Sequence, residues 1–163
     1  MENQYRIPKQ RVAAEVTFPG APPARLNLYL SECAQTHAGY ERPSDLLNGG
    51  SRFVPATQTD GAVIILNRTA ISTVELDGLF EFGGEGRNGD GPAAGTARPL
   101  TTADIEVTLA DHSKVRGSVS FSLPGSQRRV QDFMNLDEQF LVMRRGEFAV
   151  LINKGQILSV AIV

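Results

Sequence analysis

Arg42-Pro-Ser-Asp45-Leu-Leu-Asn48 and Arg129-Val-Gln-Asp132-Phe-Met-Asn135 carry the same three polar residues in the same order, one segment in each half of the chain. A phenylalanine follows each segment at the same distance, Phe53 and Phe140. Further on, Ile64-Ile-Leu-Asn67-Arg68-Thr-Ala-Ile71-Ser-Thr-Val74 aligns with Val150-Leu-Ile-Asn153-Lys154-Gly-Gln-Ile157-Leu-Ser-Val160. Upstream, Glu15-Val-Thr-Phe18 aligns with Glu106-Val-Thr-Leu109. Apolar matches arise readily by chance, whereas an ordered set of Arg, Asp and Asn rarely does. The pattern therefore reads as an internal duplication.

Each half reads as strands. Leu26, Leu28 and Leu30 alternate with polar neighbours, as do Val115, Val119, Phe121 and Leu123, which is the period of a half-buried strand. Val63 to Leu66 and Phe148 to Ile152 are short apolar runs suited to strands buried on both faces. The expected strands are 15–18, 25–30, 52–57, 62–67 and 71–76, then 106–109, 114–123, 139–144, 147–153 and 156–163. The Arg-x-x-Asp-x-x-Asn segments fall between the second and third strands and predict one helical turn each. Five short strands enclose a core only by curling into a small barrel. The expected fold is all-β, with two tandem five-stranded barrels forming a pseudo-dimer.

The stretch 77–103 is rich in glycine and contains Pro92 and Pro99, so it reads as a linker. Leu79-Phe-Glu-Phe82 is expected to prolong the strand before it. The expected organisation is an N-terminal segment 1–13, a first barrel 14–76, the linker 77–103 and a second barrel 104–163. Gly84-x-Gly86-x-x-Gly89 formally matches a dinucleotide fingerprint, but Asp90, Gly91 and Pro92 follow it where that chemistry needs a helix, so no cofactor is expected.

The chain has 163 residues, 41% hydrophobic, with a net charge of −2 and one cysteine, Cys33. Apolar runs such as Ala62 to Leu66 are too short to span a bilayer. Met1 to Arg11 lacks the apolar stretch of a secretory signal. Cytoplasmic residence without membrane association is the expectation. A single cysteine excludes an internal disulfide and a cysteine-based zinc site. The acidic balance weakens non-specific phosphate binding, although Arg128, Arg129, Arg144 and Arg145 form a basic group in the second half.

The second half resembles the Sm/LSm group of small SH3-like β-barrels. Val107-Thr-Leu-Ala-Asp111 and Val115-Arg-Gly117 are similar to its opening strands, Asp132-Phe-Met-Asn135 to its Asp…Met-Asn signature, and Ile152-Asn-Lys-Gly-Gln-Ile157 to its second motif. The likeness covers 106–160 and extends to 15–76. It implies a barrel fold and, through the loop between Asp and Asn, an RNA-binding alternative. Two departures fall on RNA-contacting positions: that loop is one residue shorter here, and Lys154 stands near the place of the family's arginine. The Arg-x-x-Asp-x-x-Asn segments are also similar to small uncharacterised bacterial β-domains.

Candidate chemistry is sparse. Cys33 and His37 lie four residues apart in 31–41, a segment the second half lacks, and read as loop residues. His112 falls in a turn, and two non-equivalent histidines give no symmetric metal site. The repeated sets Arg42, Asp45, Asn48 and Arg129, Asp132, Asn135 are the candidate binding residues, with Arg128, Arg144 and Arg145. Their bland role is closure of a tight turn: Asp accepting from backbone amides, Asn at a left-handed end, Arg paired to Asp. Asn67 and Asn153 suit turns with positive φ. With no nucleophile–base pair or metal set, the chain reads as a non-catalytic interaction or assembly module, engaging a protein partner or itself. RNA binding is the alternative.

Overall fold

The structure, a computed structural model, describes residues 9–34, 37, 39–83, 100–123 and 129–163. The Gly84–Gly89 motif, Arg128 and most of the expected linker lie outside the described residues.

Among the described residues, ten strands form one antiparallel sheet. In chain order they are β1 (Lys9–Thr17), β2 (Ala24–Ser31), β3 (Phe53–Gln58), β4 (Val63–Asn67), β5 (Thr73–Asp77), β6 (Thr101–Leu109), β7 (Lys114–Phe121), β8 (Phe140–Arg145), β9 (Phe148–Asn153) and β10 (Ile157–Ile162). Among the described residues, three short helices accompany them: α1 (Pro43–Leu47), α2 (Leu79–Phe82) and α3 (Val130–Met134). The same succession runs twice: two strands, a helix, two strands, a 3₁₀ turn and a last strand. None of the described helices is long and apolar enough to cross a membrane.

The strand order is β10-β6-β7-β8-β9-β5-β1-β2-β3-β4. The first five belong to the second half and the last five to the first. The sheet is open, with β10 and β4 at its ends. The halves are therefore hydrogen-bonded into one ladder through β9 and β5, with Val74 opposite Leu151 and Leu76 opposite Ala149. Registers repeat with the sequence. Val74 faces Val16 as Val160 faces Val107, and Leu76 faces Ala14 as Ile162 faces Ile105. Pro55 faces Ile65 as Val142 faces Leu151.

Two apolar clusters fill the interior. One gathers Val16, Leu28, Leu47, Val54, Ile71 and Val74 from the first half, together with Phe140, Ala149 and Leu151 from the second. The other gathers Ile105, Val107, Val119, Phe121, Met143, Val150 and Ile152. β9 thus feeds one cluster with its odd positions and the other with its even ones, and Ala149 to Asn153 are all buried. The sequence expectation of a strand covered on both faces holds for β9. It fails for β4: Leu66 is buried, but Val63 and Ile65 are 71% and 68% exposed. The physical reason is position, since β9 sits at the junction of the halves and β4 at the edge of the sheet.

Other boundaries also differ. β1 and β6 begin at Lys9 and Thr101, well before the expected 15 and 106. Their early residues alternate between exposed and buried or half-buried and contain few large apolar side chains, so the pattern was faint. Leu79–Phe82 is a helical turn and not a strand extension. The Asp77 side chain accepts from Leu79 N at 2.9 Å and turns the chain there. At Gly117, a Cβ would lie 2.5 Å from Met143 Cγ, so only glycine allows β7 to pass this close to β8.

Candidate functional site

The two Arg-x-x-Asp-x-x-Asn segments fold alike. Arg42 and Arg129 are the N-caps of α1 and α3, in extended conformation, and Asp45 and Asp132 each accept a hydrogen bond from the cap's backbone N–H, at 2.8 and 3.3 Å. Asp132 also pairs with Arg129 Nε at 3.3 Å. A carboxylate in the first turn satisfies an otherwise orphaned amide and suits the positive end of the helix. Leu47 anchors α1 in the first core, and Phe133 anchors α3 by stacking on Phe121 at 4.9 Å between ring centres.

Asn48 and Asn135 do not take the left-handed conformation expected of them; their φ angles are −96° and −87°. Asn48 instead reads the other half. Its Nδ2 donates to Phe140 O at 3.2 Å, and its Oδ1 accepts from Phe140 N at 2.7 Å. Asn67 and Asn153 likewise have negative φ and cap the 3₁₀ turns by accepting from Thr69 N and Gly155 N. Asn153, 1% exposed, also donates from Nδ2 to Thr69 O at 3.0 Å and Ile71 O at 2.8 Å, across the junction. Gln139 Nε2 donates to Asn153 Oδ1. One amide in each half therefore grips the backbone of the other.

Beside this junction lies a cleft of about 610 Å³ lined by Asn48, Arg68, Leu136, Asp137, Glu138 and Gln139. Arg68 donates from Nη1 to Leu47 O at 3.1 Å and to Gly49 O, which closes the turn after α1. Lys154, its counterpart, donates to Leu136 O at 2.8 Å, and partial burial lowers its pKa from the usual amine range.

The basic candidates do not converge on this cleft. Arg144 lies over the Phe82 ring at 4.1 Å, and Arg145 pairs with Glu75 across the β5–β9 junction. Both border a second hollow of about 460 Å³, which also includes Asp104, Arg116 and Val163. Arg128 lies outside the described residues. His37 places Nε2 2.6 Å from Asp45 Oδ2, tying this histidine to α1, and Cys33 is exposed. No group of three or more metal-ligating side chains exists among the described residues.

Sequence reasoning missed Glu81. Its carboxylate is buried and accepts from Ser44 N at 3.0 Å and from Ser44 Oγ, pinning α2 to α1. Burial raises its pKa above the usual carboxylate range, against the opposing effect of the Ser44 hydrogen bonds. The folded protein therefore holds this proton more tightly than the unfolded chain does. Stability attributable to Glu81 falls as pH rises from the ordinary carboxyl range through the raised value. Glu81→Gln should flatten that slope, as measured by urea midpoints between pH 4 and 8.

Compared with protein-family models, curated proteins and solved structures, the chain matches none.

Proposed function

We propose that this chain is a non-catalytic, cytoplasmic assembly module built from a duplicated small β-barrel of SH3-like, Sm-like type. The repeated element order, the equal registers and the repeated helix caps support common descent of the halves. Two separate apolar clusters favour a curled unit around each, the first completed by Phe140, Ala149 and Leu151 from the second half, since strands this short cover a core only by coiling.

The observation that carries the assembly role is the character of the two sheet ends. β4 reads Val-Ile-Ile-Leu-Asn and β10 reads Ile-Leu-Ser-Val-Ala-Ile, with no charge in either. Edge strands of solitary sheets normally carry charges or prolines that block pairing. Strand addition at such an edge is a general way to bind a protein chain. Sedimentation and native mass measurement test the reading. Association that grows with concentration, or a stable complex with a co-purifying protein, is expected; a monomer without partners at every concentration contradicts it.

RNA binding gains less support from the geometry. Arg129, Arg144 and Arg145 are engaged with Asp132, Phe82 and Glu75, and Asp137 and Glu138 set negative charge beside Arg68. In a salt titration with single-stranded RNA, no salt-sensitive affinity is expected. Binding that weakens steeply with salt would favour the alternative.

A further inference from the structure

The junction between the halves is a worked example of how one unit docks on the next, and the chain carries both sides of a second junction unmated. At the existing one, the β8–β9 hairpin presents Phe140, Ala149 and Leu151 to the first-half core, where all three are buried. The sequence alignment and the matching registers make Phe53, Val63 and Ile65 their counterparts on the β3–β4 hairpin. These three are 55%, 71% and 68% exposed.

The receiving side shows the same contrast. Ile71, Val74 and Leu76, which meet the hairpin at the existing junction, are buried. Their counterparts Ile157 and Val160 are only half-buried, and Ile162 is exposed. The polar latches repeat it as well. Asn48 holds both backbone groups of Phe140, whereas Asn135 is exposed with no side-chain hydrogen bond among the described residues. Phe53, the group Asn135 would hold, lies outside the β2–β3 register. Asn153 Nδ2 has two carbonyl partners across the junction, and Asn67 Nδ2 has none among the described residues.

We propose that β4 of one copy pairs antiparallel with β10 of a second copy, head to tail, reproducing the β9–β5 junction between molecules. This rests on the assembly reading above and names its partner. The register follows from the existing junction: Val160 opposite Ile65 and Ile162 opposite Val63. Asn135 then clamps the backbone of Phe53 in the other copy, and Asn67 Nδ2 reaches the carbonyls of Gly155 and Ile157 there. The ion pair of Arg145 and Glu75 has no counterpart, because Gln58 and Ala161 stand at those positions, so the second junction is more apolar than the first. Each copy offers two different surfaces, so the contact is heterologous and grows into a ring or a filament according to whether the rotation closes.

Sedimentation velocity on Ile65→Lys, Ile162→Lys and their mixture tests this. Both positions are solvent-exposed in the single chain, so both variants should fold, and Val63→Lys and Leu158→Lys stand in for either one that does not. A buried unpaired ammonium should weaken the junction at least about 100-fold, so each variant alone should sediment as a single chain. Mixed together, the intact β10 of the first and the intact β4 of the second should give a capped dimer and nothing larger. A wild-type protein that stays monomeric, a mixture that does not dimerise, or dimers of one variant alone would overturn the proposal. If the wild type is monomeric but co-purifies with a different protein that protects β4, the self-pairing falls and the assembly role stands. If it is monomeric and without partners, both fall.

Discussion

Leu151→Ala is expected to lower stability by about 3 kcal/mol, while Ile65→Ala at the matching position of the first half should cost under about 1 kcal/mol in dilute protein. Leu151 is fully buried in the first-half core although it belongs to the second half. Its loss leaves a cavity at the junction, and the two halves should unfold together. Ile65 faces solvent, so truncating it removes almost no buried surface from a single chain. Urea denaturation at low protein concentration measures both values. Equal costs at the two positions would mean that the outer face of β4 is covered within one molecule.

A second pair of substitutions separates the two asparagines before the last strands. Asn153→Ala removes the donor to Thr69 O and Ile71 O and the acceptor for Gly155 N in a buried site. Each orphaned buried group costs on the order of 1–3 kcal/mol, so a total loss of about 3 kcal/mol is expected. Asn67→Ala loses only the cap of its 3₁₀ turn, whose Oδ1 serves Thr69 N and Thr69 Oγ1, and should cost about 1 kcal/mol in dilute protein. The difference, read from the same urea curves, gives what the amide contributes by reaching the other half together with its bond from Gln139 Nε2.

Much of this architecture was legible in the chain because repetition and period-two patterning are local signals. All the strands except β1 and β6 lie within about two residues of their expected limits, and Leu26, Leu28 and Leu30 are buried as the alternation required. What escaped depends on distant partners. Nothing around Asn48 tells that its amide spans to Phe140, since that contact exists only once β9 has paired with β5. Glu81 read as part of a strand extension at the start of the linker because its hydrogen-bond partner, Ser44, lies far away in α1. Val63-Ile-Ile-Leu66 and Ala149-Val-Leu-Ile152 read alike, and position in the sheet alone makes one an edge and the other an interior strand. The same likeness is what most supports the proposal that β4 is covered by a second copy.

Amide hydrogen exchange at low and high protein concentration addresses that point most directly. β9 should be protected at both concentrations, while the outward amides of β4 and β10 should exchange fast in dilute protein and slow together as concentration rises. Equal, fast exchange of β4 in particles already larger than one chain would contradict the account, as would ready exchange of β9.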